Sequence, residues 1–151
     1  MHRNRIADLQ LRGNTSPLPV RVYWPGRPVT RPVSLLVFCS VGAGAGSGAE
    51  ATCQRLSQDA GLVVLSVCCA AGARDGTAVL EWAAEHAAEL GADPGRLLVA
   101  GEGAGGAVAA AVAAEALAAG WPLVTYVSSD EFPGPASSDS MNSMNRSAEE
   151  K

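Results

Sequence analysis

Four short apolar runs constrain the fold of this chain more than any other feature. They are Val33-Ser34-Leu35-Leu36-Val37-Phe38-Cys39, Leu62 to Val67, Arg96 to Ala100 and Leu123 to Val127. Each has the length of a strand, and the near-continuous apolar character is what a strand covered on both faces requires. Helical spacing separates them. From Glu50 to Ala60, Cys53, Leu56 and Ala60 fall on one side, with Glu50, Gln54, Arg55, Gln58 and Asp59 elsewhere, and Gly61 ends the segment. From Thr77 to Leu90 the series Leu80, Ala83, Ala87 and Leu90 opposes Glu81, Glu85 and Glu89, a carboxylate stripe that reads as a solvated face. A third segment, about Ala104 to Ala119, is alanine-rich with Glu115 as its only charge, so it is expected to be covered nearly all round. Upstream, Ile6 to Leu11 and Val20 to Trp24 flank turn residues between Gly13 and Pro19 and predict an antiparallel hairpin. The expected class is therefore α/β: a hairpin, then parallel strands with helices on both faces and right-handed crossovers.

Size and composition set the bounds of function. The 151 residues suit one domain, expected over residues 1–127, with a disordered polar tail over 128–151 that is rich in Ser, Asp, Asn and Glu. A hydrophobic content of 48% is enough for one core, while 17% charged residues, a net charge of -4 and scattered arginines argue against nucleic acid as a partner. The charge-free stretch between Glu102 and Glu115 is well short of the roughly 20 apolar residues that span a bilayer. Asp8, Gln10 and Arg12 interrupt the N-terminus where a secretory signal needs an apolar run. These features predict a soluble, cytoplasmic protein without a membrane partner. Cys39, Cys53, Cys68 and Cys69 form no CxxC pair, and His2 and His86 are the only histidines, so no metal site is expected and the thiols read as small buried hydrophobes.

Parallel sheets of this kind bind ligands at the carboxyl ends of their strands. Two glycine-rich turns fall there, Ser40 to Gly48 and Gly101 to Gly106. Glycines between a strand and a helix serve two chemistries. One is dinucleotide binding, since Gly101-Glu102-Gly103-Ala104-Gly105-Gly106 satisfies GxGxxG in a strand-turn-helix context, with Asp130 available for the ribose. Against it, the Glu102 carboxylate inside the turn repels a pyrophosphate, and no cofactor is expected. The other is acyl transfer on an elbow of the form GxSxG, which exposes a serine above the sheet.

Several stretches occur in one order: Pro19-Val20-Arg21-Val22-Tyr23, Cys53 through Leu56, Ala60-Gly61-Leu62-Val63-Val64-Leu65-Ser66-Val67, and Trp82 through Leu97 running into Val99-Ala100-Gly101-Glu102-Gly103-Ala104-Gly105-Gly106. Over about Pro19 to Pro122 this order resembles the α/β-hydrolase fold, in particular the hormone-sensitive-lipase type of carboxylic-ester hydrolase. The last stretch is similar to that family's VAGDSAGG. The resemblance places Glu102 where the family has Asp and Gly103 where it has the nucleophilic serine. It places Ser40-Val41-Gly42-Ala43 at the family's HGGG oxyanion loop, leaving backbone N–H donors of Gly42, Ala43 and Ala104 as an oxyanion-hole-like set.

Glycine at position 103 can form no acyl-enzyme. The segment from Cys68 to Arg74 replaces the family's stretch containing DYR and PE. The resemblance also ends soon after Leu123 to Val127, before the acid and histidine of a triad. His86, mid-helix beside Glu85, reads as structural, and Glu102 as a carboxylate favoured near a helix N-terminus. The expected protein is thus a truncated, catalytically inactive domain of esterase type. Two alternatives are a Rossmann-like module using Gly101 to Gly106 and a hydrolase half needing a complementing chain. A sheet edge around Leu123 to Val127 is expected to recruit a second protein chain.

Overall fold

The computed structural model describes residues 5–12, 17–26, 31–41, 48–69, 72–121 and 124–127. The apolar runs become the middle of one six-stranded sheet in the order β1-β2-β4-β3-β5-β6. Its strands are β1 Arg5–Arg12, β2 Pro17–Trp24, β3 Val33–Ser40, β4 Val63–Cys68, β5 Ala92–Gly101 and β6 Val124–Val127. The helices are α1 Gly48–Ala60, α2 Ala73–His86 and α3 Ala104–Ala118. β3 sits between β4 and β5, parallel to both, with Val37 opposite Leu65 on one side and Val99 on the other. β6 adds parallel to β5. The hairpin β1–β2 joins antiparallel through β4, with Val22 opposite Leu65.

Side-chain alternation divides the β3 run between two cores. Leu35, Val37 and Cys39 join Leu65, Val79, Leu80, Ala109 and Val112 under α2 and α3. Leu36 and Phe38 face the other way, with Tyr23, Val64, Cys53 and Leu56 under α1. Full burial of such side chains contributes about 1.5–3 kcal/mol each, which is why the most apolar run takes the centre. The hairpin is held by Trp24, whose Nε1–H donates to the Leu90 carbonyl at 3.0 Å and whose ring lies 4.4 Å below the Arg5 guanidinium. Arg21 ties it to the first helix, pairing with Asp8 at 2.7 Å and with Glu50 of α1 at 3.0 Å.

Four expectations are corrected. α2 begins at Ala73, four residues before Thr77, and ends at His86, with a separate 3₁₀ turn at Ala88–Leu90 closed by Gly91 at φ 83°. The early start escapes a periodicity reading because Gly76 occupies the inward position: a Cβ there would lie 2.6 Å from Val112 Cγ2. β5 begins at Ala92 rather than Arg96, with Val33 opposite Ala92 and an irregular step before Leu35 meets Leu97. Pro94, which donates no backbone hydrogen bond, disguised that stretch as a loop.

The third correction concerns α3. Its buried stripe is Gly105, Gly106, Ala109, Val112 and Ala116, while Ala104, Ala107, Ala110, Ala111, Ala114, Leu117 and Ala118 are exposed. The sheet and α2 cover one side only. Glu81, Glu85 and Glu89 are exposed on α2, as the carboxylate stripe predicts. The expected tail over 128–151 lies outside the described residues.

The fourth correction is Cys68, which is exposed, whereas Cys39, Cys53 and Cys69 are buried. Burial pushes the Cys53 thiol up to about 12. Hydrogen bonding with Cys39, then burial, raises Cys69 as well. Thiolates are the reactive species, so these groups stay protonated and shielded at neutral pH. With a thiol-exchange reagent such as DTNB, one thiol of the four per native chain is expected to react within seconds and the remaining three only on unfolding. Three or more fast thiols would contradict this packing.

Candidate functional site

β5 ends at Gly101 and α3 begins at Ala104, so only Glu102 and Gly103 separate strand from helix. The Gly105 N–H donates to the Glu102 carbonyl at 2.9 Å and the Gly106 N–H to the Gly103 carbonyl at 3.0 Å, which folds the turn back at once. Gly103 caps the helix with φ 57° and ψ -128°, a conformation L-residues rarely adopt. A sharp, strained strand-to-helix turn over the carboxyl end of a parallel sheet is the geometry of a nucleophile elbow.

The three glycines of Gly101-Glu102-Gly103-Ala104-Gly105 answer different demands. A Cβ on Gly105 would lie far inside van der Waals contact distance of the Cys39 carbonyl oxygen, and a Cβ on Gly101 would collide with the Gly105 carbonyl and lie 2.7 Å from the Cys39 oxygen. Close approach of β3, β5 and α3 requires glycine at both positions. At Gly103 a Cβ meets nothing within 4 Å. The elbow therefore presents position 103 into open space, and the residue presented has no side chain. Gly103→Ala should cost about 1–3 kcal/mol through its backbone conformation alone, read as a fall in the urea midpoint with an unchanged slope. No loss of stability would mean that the turn relaxes out of this conformation.

Of the remaining site residues, Glu102 and Ala104 are exposed beside the elbow. The Ala104 N–H is the first of α3 and belongs to the set of helix-start donors without an intrahelical acceptor. Gly42, Ala43 and Asp130 lie outside the described residues. Ser40, at the position of the family's oxyanion histidine, spends its hydroxyl on the fold: Oγ donates to the Val67 carbonyl at 3.2 Å.

His86 is not brought to the elbow. It closes α2, stacks on Trp82 with centroids 4.4 Å apart and planes at 15°, and its Nδ1 lies 2.8 Å from the Trp82 carbonyl. That carbonyl can only accept, so Nδ1 carries the proton. His86 precedes the start of β5, whereas Gly103 follows its end; a strand of ten residues is about 33 Å long. A hollow of about 480 Å³ lined by Arg31, Pro32, Ala88, Gly91, Ala92, Asp93 and Pro94 lies at the same amino end, also remote from the elbow. Sequence reading gave no role to Asp75, a buried carboxylate in the first turn of α2; the helix start that buries it was itself missed.

The fold and the elbow together define an α/β domain of hydrolase architecture. A family model described as "alpha/beta hydrolase fold" matches residues 37–129, and the chain belongs to that family. Among curated relatives, Esterase LipI of Mycobacterium tuberculosis is 32% identical over 134 residues, 81% of this chain and 42% of that protein. Carboxylesterase NlhH of the same species is 37% identical over 121 residues, 72% of this chain and 37% of that protein. An esterase from the archaeon Pyrobaculum calidifontis superposes with a TM-score of 0.71 at 28% identity, covering 88% of this chain and 48% of that one. Esterase LipW of Mycobacterium marinum gives 0.68 at 28%, covering 87% and 46%. These relatives bear out the resemblance to esterases of the hormone-sensitive-lipase type. The chain spans about two fifths of the length of the curated relatives it matches.

Proposed function

We propose that this α/β-hydrolase domain, as it stands, keeps the esterase elbow as a structural joint and carries out no ester hydrolysis. The observation behind this reading is Gly103, held at φ 57° and ψ -128° with open space where a nucleophile would stand. Covalent acyl transfer needs an attacking oxygen or sulfur, a base to take its proton and donors for the oxyanion. Position 103 offers no attacking atom. The one histidine among the described residues hydrogen-bonds a carbonyl at the far end of the sheet. The Ala104 N–H is the only oxyanion-type donor of the expected set within the described residues.

What the elbow still does is mechanical. Three adjoining backbones, those of β3, β5 and α3, meet closely at Cys39, Gly101 and Gly105, and the turn fixes their angle. A fluorophosphonate probe, which reports activated serines, is expected to leave the purified chain unlabelled. A serine adduct at any position would contradict this reading. The reading extends to a cytoplasmic protein, since three buried unpaired thiols suit a reducing compartment. No helix among the described residues is long and apolar enough to cross a membrane.

A further inference from the structure

The sheet sorts the three buried thiols between its two faces. Cys53 belongs to the core under α1, whereas Cys39 and Cys69 share the core under α2 and α3. Alternation along the chain places them together. Cys39 stands opposite Val67 in the β3–β4 ladder, and Cys69, two positions beyond Val67, returns to the same face just after β4 ends. The backbones adjoin there, since the Cys69 N–H donates to the Ser40 carbonyl at 2.7 Å. The sulfurs are in contact: the Cys69 and Cys39 thiols share a hydrogen bond, and a Cβ on Gly76 would lie 3.3 Å from Cys39 Sγ and 3.7 Å from Cys69 Sγ. Glycine in the first turn of α2 therefore leaves free the space into which both sulfurs project.

We propose that Cys39 and Cys69 are a redox-sensitive pair that closes into a disulfide, fastening the carboxyl ends of β3 and β4 beside the elbow. The oxidant is a low-molecular-weight disulfide of the glutathione class. One protein thiolate attacks it, forming a mixed disulfide and releasing one small thiol; the second protein thiolate then attacks the protein sulfur and releases the other. Two protein S–H bonds and one small-molecule S–S bond are lost, and one protein S–S bond and two small-molecule S–H bonds are gained. The protein sulfurs are oxidised by two electrons, the glutathione disulfide is reduced by two, and both protons pass to the leaving thiolates. The product suits its surroundings, because an S–S bond carries neither a charge nor a donor into an apolar core. Other pairings fail on geometry. Cys53 lies across the sheet, and the adjacent Cys68 and Cys69 have Cα atoms about 3.8 Å apart, short of the roughly 4.4–6.8 Å that disulfides span. The link reaches the elbow through one residue: the Cys39 carbonyl is what Gly101 and Gly105 approach most closely on β3, so fixing Cys39 stiffens that joint.

The test uses the Cys68→Ser chain, which removes the exposed thiol and leaves Cys39, Cys53 and Cys69. The folded chain is brought to equilibrium with oxidised glutathione; burial makes the exchange slow, so the end point is read. It is then unfolded in excess N-ethylmaleimide and its mass measured before and after digestion. The expected end point is one maleimide, on Cys53, where the chain reduced with dithiothreitol takes three. A non-reduced peptide pair should join Cys39 to Cys69, and the wild-type chain should give the same pair with glutathione on Cys68 only. The oxidised chain should unfold at a higher urea midpoint than the reduced one, because a link made without distorting the native state restricts the unfolded state alone. Cys69→Ala in the same background should lose the linked pair and the rise together, and Cys53→Ala should keep both. Three maleimides at the end point overturn the proposal. So does glutathione retained on Cys39 or Cys69, a link to Cys53, or a midpoint that falls on oxidation.

Discussion

Gly105→Ala is expected to destabilise the domain by about 3 kcal/mol or more, the upper range for forcing a methyl group into a packed interior. The reason is the target of the collision. The added Cβ would meet the Cys39 carbonyl oxygen and the backbone of Ser40, and neither is a flexible side chain that can swing aside. Relief requires separating α3 from β3, which strips contacts from Ala109 and Val112 in the core between sheet and helices. A domain of this size has about 5–15 kcal/mol to lose, so the variant should show a large fall in its urea midpoint. Gly105 lies inside α3 without a positive φ, whereas Gly103 has φ 57°. The two substitutions therefore separate packing from strain: Gly105→Ala should cost clearly more than Gly103→Ala. The reverse order would mean that the elbow is held by its dihedrals and not by the approach of three backbones.

The strands were legible because burial on both faces leaves a mark in the sequence. Val33 to Cys39 is apolar at nearly every position, and structure puts it between two parallel neighbours, β4 and β5. The hairpin was legible from its turn residues, and the α2 carboxylates from their spacing. Other features depend on neighbours that the sequence does not announce. Gly76 breaks the apolar pattern of α2 yet sits inside it, because Val112 of another helix leaves no room for a side chain. Alanine reads as buried by composition, but Ala107, Ala110, Ala111, Ala114 and Ala118 on the outer face of α3 are exposed. Cys68 and Cys69 are adjacent in sequence and opposite in exposure, a consequence of where β4 stops.

The candidate site was legible as a motif and not as a geometry. Position 103 could be identified as the elbow from the order of flanking residues, but three glycines within five residues look equivalent on paper. Structure divides them: Gly101 and Gly105 answer to sterics, Gly103 to a positive φ with empty space above it. The oxyanion-type residues Gly42 and Ala43 fall outside the described residues. Ser40 is seen to support the fold through Val67.

The second large effect concerns chemistry, and it decides the central claim. Enzymes of ordinary efficiency accelerate their reactions by about 10⁶-fold or more. Protease active sites stripped of their triads retain about 10³–10⁴-fold over water through oxyanion donors and binding alone. Among the described residues, the Ala104 N–H is the one donor of the expected oxyanion set. Gly103→Ser supplies a hydroxyl that has room to stand, but not the base that would take its proton, and the positive φ makes the serine pay in stability. The measurement is turnover of a short-chain p-nitrophenyl ester by the purified chain and by Gly103→Ser, each with and without prior fluorophosphonate treatment. The account predicts background rates from both proteins, unaffected by the inhibitor; inhibitor-sensitive turnover in either would contradict it.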